Sequence, residues 1–241
     1  VVCWQRPGCT GRGRRVAVLV RHGHFDRPED TASAHSLLPL SETGRAQAEA
    51  ATGVMAARCA DHGLTIDKRV EASQLLRAWQ TANVLCEQLT QYTNTTHHVI
   101  QRDELIERGL GSAANITFTR IRELVALDSR LGDLPEGWRR TPEFRLPFPG
   151  AESLMDAGKR VAARIEQSMD SIPADDSQDV ARLFVAHSGC LRHAAVVLGA
   201  LDVRRVSGLS MDFVQSVLIE KLPNGTWVQL AGEFQKHLPT S

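Results

Sequence analysis

Four places in this chain put chemically capable side chains just after a strand-like run. Val16–Val20, five apolar residues without a break, lead into Arg21-His22-Gly23. A second run, Val180–Ala186, leads into His187-Ser188-Gly189. Residues 66–72 lead into a segment carrying Arg77, and residues 97–101 into Leu105-Ile106-Glu107. In an open α/β fold such positions fall at the carboxyl edge of the sheet, where ligands bind, and converge although they are far apart in sequence. Two guanidiniums match the oxygens of a phosphate in fork geometry. A neutral imidazole, with a reference pKa of about 6.5, offers a nucleophile near neutral pH. A second imidazole can hydrogen-bond the same oxygens, and a glutamate can protonate a departing alkoxide. The arginines and histidines supply the positive charge that magnesium supplies in other phosphoryl transfers, so no metal or cofactor is expected. Taken singly, each residue has a plainer explanation. A lone histidine after a strand is more often a loop or core residue, Arg77 a solvated helix residue and Glu107 a surface carboxylate.

The elements that must position these groups follow from local pattern. An unbroken apolar run such as VAVLV suits a strand buried on both faces of a parallel sheet. Ser41 is a good N-cap for an alanine-rich helix to about His62, with Gly63 as its stop. A further helix is expected from about Leu76 to Thr90, which puts Arg77 in its first turn. Other helices are expected over about 119–131, from Glu152-Ser153 to about Met169, and over about 190–201. Two closing strands, about 212–220 and 226–231, join through Pro223-Asn224-Gly225, a hairpin signal. Recurring strand–loop–helix units predict a three-layer α/β/α sandwich with a mostly parallel central sheet. Residues 1–15, rich in glycine and arginine, read as a flexible arm. Residues 16–241 read as a single domain, with about 105–150 inserted as a lid too poor in apolar residues for a core of its own.

Length and composition set bounds. A chain of 241 residues can bury a full core. Lys+Arg and Asp+Glu balance at 28 each, so no global field favours nucleic acid or an anionic membrane. Only four of the basic residues are lysines, so any anion site must be a local arginine cluster. Five scattered cysteines fit neither a disulfide framework nor a metal spacing. With no membrane-length apolar run and no secretory signal, a cytoplasmic protein is expected. The chain opens at Val1 rather than methionine, which leaves room for an upstream segment, and no sequence feature sets an oligomeric state.

Taken in order, the motifs resemble the histidine phosphatase superfamily, the phosphoglycerate-mutase-like fold, over about residues 16–238. Arg21-His22-Gly23 is similar to its signature, which implies that His22 becomes phosphorylated and Arg21 binds phosphate. Pro39–Gly44 with Gln47-Ala48-Glu49 resembles the opening of the family's first helix. Ser73–Ala82 resembles "SxLxRAxQTA", making Arg77 the second phosphate arginine. Leu105–Gly111 is similar to the acid segment, which implies Glu107 as proton donor over its neighbours Asp103 and Glu104 and over Asp26. Pro149–Ser153 looks like "GES" with one residue inserted. Ala186–Arg192 matches the second histidine block around His187, and His237-Leu238 resembles the usual ending.

Departures from the pattern bear on substrate. After the signature the chain has His24, Phe25, Asp26 and Arg27, matching neither the phosphatase nor the mutase subgroup. Trp138-Arg139-Arg140 resembles a mutase segment that holds a carboxylate, and Arg108 resembles a mutase arginine beside the acid. The tyrosine and lysine that complete that pocket have no counterparts around Leu110 and Phe118. The resemblance thus implies a second anionic group on a small phosphorylated substrate, with His24, Arg108, Arg139, Arg140 and Ser188 as candidate contacts. A phosphomonoester hydrolase is the first reading. A phosphoglycerate-type mutase is the second, and a non-catalytic phosphate-binding scaffold the third.

Overall fold

The computed structural model describes residues 13–32, 34–173 and 178–236. Its main sheet contains β1 (Arg15–Arg21), β2 (Thr65–Ser73), β3 (His98–Arg102), β4 (Val180–Ala186), β6 (Ser216–Lys221) and β7 (Trp227–Ala231). A separate ribbon pairs β5 (Leu209–Ser210) with β8 (Gln235–Lys236). The main sheet runs β3-β2-β4-β1-β6-β7, its first four strands parallel and the last two antiparallel additions. This is the expected mostly parallel α/β architecture.

The apolar run is buried on both faces because helices cover both. Val16, Val18 and Val20 pack against α1 (Glu42–Asp61) and α2 (Leu76–Thr93) through Ala48, Met55, Leu85 and Leu89. Ala17 and Leu19 turn the other way, toward α4 (Leu154–Asp170) and α5 (Ser188–Val197). The alternation is the strand period of two. Ser41 caps α1 by accepting from the Gly44 N–H, and Ser153 and Asp156 form a reciprocal capping box on α4. No described helix is long and apolar enough to cross a membrane.

Several boundaries differ from expectation, each for a local reason. The third helix, α3 (Phe118–Leu127), ends early because the Asp128 carboxylate accepts from the Arg130 backbone and side chain, an arrangement that competes with helix. The helix after His187 stops at Val197, and a short α6 (Val203–Val206) follows. The strand expected from 212 begins at Ser216, because Val214 takes a positive φ of 55° and donates to the Arg21 carbonyl. Residues 212–215 therefore fold over the end of β1. The 105–150 segment, expected to lack a core, has one. Leu110, Ile121, Trp138 and Leu146 are buried together, completed by Ala34 from the loop after β1. Of the expected arm, residues 1–12 lie outside the described residues. Arg14 pairs with Glu220 at 2.8 Å and Arg15 opens β1, so the fold begins before residue 16. His237-Leu238 also lies outside the described residues.

Two buried charges fasten sheet to helix. Glu71, 1% exposed, accepts from Nε and Nη2 of Arg164 and from Ser168 Oγ, each at 2.7 Å. Burial alone would raise its pKa, but these bonds prevail and hold it below the ordinary carboxylate value. Arg182, wholly buried in β4, sits opposite the irregularity in β2 between Ile66 and Val70. It bonds Asp67 and the carbonyl of Ser168 near the carboxyl end of α4, where a cation is favoured. Removing one partner of a buried pair strands the other charge. Glu71→Ala should lower the unfolding free energy by about 3–5 kcal/mol, read from urea denaturation. A loss of about 1 kcal/mol or less would instead class the pair with solvent-screened ones.

Candidate active site

The two histidines meet because two strands are in register. β1 and β4 pair residue for residue from Arg15 with Val180 to Arg21 with Ala186, and the His22 N–H donates to the Ala186 carbonyl at 2.9 Å. The next residue on each strand is His22 and His187, with ring centroids 5.0 Å apart. Both are buried. Nδ1 of His22 lies 2.7 Å from the Gly23 carbonyl, which can only accept, so Nδ1 carries the proton and Nε2 the lone pair. Nε2 of His187 lies 2.9 Å from Ser73 Oγ, at the end of β2.

Arg77, in the first turn of α2 and 2% exposed, spans both rings. Its Nε donates to Nε2 of His22 and its Nη2 to Nδ1 of His187, each at 3.3 Å. This assigns His187 its proton at Nε2, given to Ser73. Bonds of 3.3 Å lie at the long end for N–H donors, so an incoming anion could displace them. Arg21 lies over the Phe213 ring at 3.9 Å and donates through Nη1 to the Met211 carbonyl at 2.5 Å. Its Nε is buried without a partner among the described residues, a donor that a phosphate oxygen would satisfy. Ser73, Phe25 (beneath Arg77 at 4.6 Å) and Phe213 were not anticipated from sequence. Only Ser73 carried a signal, its place at a strand end.

Gly23 lies where the loop after β1 meets the start of α1. A Cβ there would lie 2.6 Å from the Gly44 carbonyl oxygen, so the glycine lets the loop close on the start of α1. His24 is used in the same joint. Its Nδ1 bonds Ser41 Oγ at 2.8 Å, and its backbone N–H donates to Gln47. Ser188 is likewise engaged, with Oγ accepting from the Met211 N–H at 3.2 Å and from Arg192 Nε at 3.3 Å. His24 and Ser188 thus shape the walls that hold Phe213, Met211 and Arg21 in place.

Beside this cluster lies a cavity of about 350 Å³ that receives Arg27, Arg108, Arg139, Arg140 and Arg192 together with Glu107. Glu107 rests on the start of α5, since a Cβ on Gly189 would come within 2.8 Å of its Oε1. Oε1 also accepts from the Arg108 N–H at 2.9 Å. Asp26, Asp103 and Glu104 are exposed and do not line the cavity. The structure therefore brings the expected acid and three of the expected arginines, Arg108, Arg139 and Arg140, to one pocket, and adds Arg27 and Arg192. Arg139 lies over the Phe118 ring at 4.4 Å, and the burial of Trp138 in the 105–150 core holds the turn that presents Arg139 and Arg140.

Electrostatics fix the protonation states. Burial, then the charges of Arg77 and Arg21, hold His22 well below the ordinary histidine pKa; burial and Arg77 do the same to His187. Burial also lowers Arg21 and Arg77 to about 10, against the opposing pull of Glu107, and both remain cations near neutrality. A histidine whose folded pKa lies below its unfolded value of about 6.5 costs no stability above that pH and destabilises as pH falls below it, because the unfolded chain binds more protons. In the ligand-free protein the ring NMR resonances of His22 and His187 should therefore stay at neutral-imidazole positions from pH 8 to about 6. A titration midpoint near 6.5 for either ring would contradict the arrangement.

Compared by sequence with curated proteins, the chain matches none. Among solved structures it superposes on the mycobacterial glucosyl-3-phosphoglycerate phosphatase with a TM-score of 0.69 and 25% identity, covering 92% of this chain and 99% of that one. A structure described as mycobacterial hydrolase 1 gives the same score and identity, over 91% and 98% of the two chains. Phosphoglycerate mutase from Bacillus anthracis shares the fold, with a TM-score of 0.68 and 18% identity over 92% and 94%. The family model of the histidine phosphatase superfamily, branch 1, matches residues 17–232, and this chain belongs to that superfamily.

Proposed function

We propose that this protein is a phosphomonoester hydrolase that passes the phosphoryl group through His22. The observation that carries the reading is the single guanidinium of Arg77 bonded to both histidines, beside an Arg21 Nε with no described partner. A phosphoryl group entering there exchanges the long Arg77–imidazole bonds for charge-assisted bonds to its oxygens and frees the Nε2 lone pair of His22. Nε2 attacks phosphorus as the ester P–O bond breaks, and the departing oxygen takes a proton from Glu107. Water then attacks phosphohistidine, Glu107 recovers the proton, the N–P bond breaks, and inorganic phosphate leaves. A dianion at this position also lowers the cost of protonating His187, whose Nδ1–H would then donate to a phosphoryl oxygen.

The arginine-lined cavity supports a small substrate bearing a second anionic group, with Arg108, Arg139 and Arg140 as its contacts. The mycobacterial protein of similar structure is named for a phosphoglycerate derivative, glucosyl-3-phosphoglycerate. The same cavity would seat the substrate of a mutase, which must in addition shield phosphohistidine from water. Within this reading the 105–150 segment is the lid of a single domain, and the buried free thiols of Cys59, Cys86 and Cys190 fit a reducing cytoplasm.

Glu107 gives the sharpest test. Proton donation is worth about a hundredfold to ten-thousandfold. In assays run in EDTA, Glu107→Gln should slow alkyl phosphate hydrolysis by about that much and p-nitrophenyl phosphate far less, because nitrophenolate leaves unaided. Equal losses on both substrates would assign Glu107 to binding.

A further inference from the structure

The arginine cavity holds one buried group that neither the phosphoryl site nor a simple anion uses. His193, on α5 directly after Arg192, is 0% exposed and forms part of the cavity wall. Its Nδ1 lies 2.8 Å from the Gly189 carbonyl one helical turn back and must donate to it. Nε2 is therefore an acceptor, and it is buried with no partner among the described residues. α4 holds the residue in place, since a Cβ on Gly158 would fall 2.6 Å from the His193 Cβ. Burial, partly offset by the Gly189 bond, and then the charge of Arg192 lower its pKa to about 4, so the ring stays uncharged near neutrality.

The cavity thus pairs many donors with an unserved acceptor. Arginine side chains only donate, whereas ionised carboxylate and phosphate only accept. A bare dianion would satisfy the arginines and leave Nε2 of His193 without a partner. A hydroxyl can donate to Nε2 and accept from a neighbouring guanidinium at once. The two serines of the cavity wall do not take this part, because Ser207 Oγ donates to the Arg140 carbonyl at 3.1 Å and Ser210 Oγ to the Met211 carbonyl at 3.5 Å.

We propose that His193 accepts a hydrogen bond from a substrate hydroxyl, so that the substrate is a hydroxylated carbon chain bearing the reacting phosphate and a second anionic group. This deepens the phosphatase reading and rests on it for the identity of the reacting end. A phosphorylated sugar acid has this chemistry, whereas a polyphosphate or an unsubstituted phosphorylated acid does not.

The test compares 6-phosphogluconate with 6-phosphonooxyhexanoate, which has the same six-carbon chain and charged ends but no hydroxyls. Affinities are measured by calorimetry in the His22→Ala background, where ligand is not consumed, and kcat/KM in the otherwise unaltered enzyme. The cost of an unpaired buried acceptor corresponds to a preference for 6-phosphogluconate of about tenfold to a hundredfold. His193→Leu should erase that preference by weakening 6-phosphogluconate alone, leaving 6-phosphonooxyhexanoate and p-nitrophenyl phosphate turnover unchanged. His193→Gln, which keeps an acceptor, should restore part of it. No preference in the original protein, equal weakening of both ligands by His193→Leu, or no binding of either compound would overturn the proposal. Loss of the phosphatase reading would appear separately, as no turnover of p-nitrophenyl phosphate, with the binding comparison still decisive.

Discussion

The site depends on the parallel pairing of β1 with β4. That register carries Arg21 level with Ala186 and leaves His22 and His187 as the first residues past the sheet on adjacent strands. A slip of one residue would turn every side chain of β1 to the opposite face. Both faces of β1 are buried, but they are not equivalent. Three valines meet α1 and α2, while Ala17 and Leu19 meet α4 and α5. The packing that stabilises the sheet is therefore what sets the distance between the rings, and the helices following β2 and β4 bring Arg77 and Ser188 to the same edge.

The second constraint is electrostatic. Two arginines and two histidines share a buried space, and the conflict is relieved by leaving both imidazoles neutral. The arginines stay charged because burial, opposed by Glu107, lowers them only to about 10, and each keeps a carbonyl acceptor: Arg21 bonds that of Met211 and Arg77 that of Ala34 at 3.0 Å. The resulting site is cationic without a protonated imidazole. That is the state in which a histidine can act as a nucleophile toward a dianionic phosphoryl group, with the surrounding donors already oriented. Glu107 lies among the cavity's arginines, so the proton donor of the proposed reaction also faces whatever second anion the substrate brings.

Much of this was legible in the sequence, because it rests on local signals. Five unbroken apolar residues before Arg21 announce a doubly covered strand, and Ser41 and Gly63 bracket α1 at its observed ends. What stayed hidden depends on tertiary contact. Glu71 and Arg182 sit in strands where a charge reads as solvated, yet each is buried because α4 and the irregular β2 supply its partners. The core of the 105–150 segment was invisible because Leu110, Ile121 and Trp138 are irregularly spaced and meet Ala34 only in three dimensions. The turn at 212–215 reads as strand from sequence because nothing local marks Val214 for a positive φ. The part of His24 in the joint between this loop and α1 has no local signal either, because its Nδ1 meets Ser41, seventeen residues away, only in the folded chain.

The central claim is that His22 carries the phosphoryl group. Its most direct test is rapid acid-free quenching of the enzyme during turnover of p-nitrophenyl phosphate, followed by mass-spectrometric mapping of phosphate along the chain. An acid-labile, base-stable phosphate is expected on the peptide containing His22, bonded to the imidazole and absent from His22→Ala, which should also lose turnover while retaining its fold. Phosphate mapped to another residue, or full turnover by His22→Ala, would contradict it.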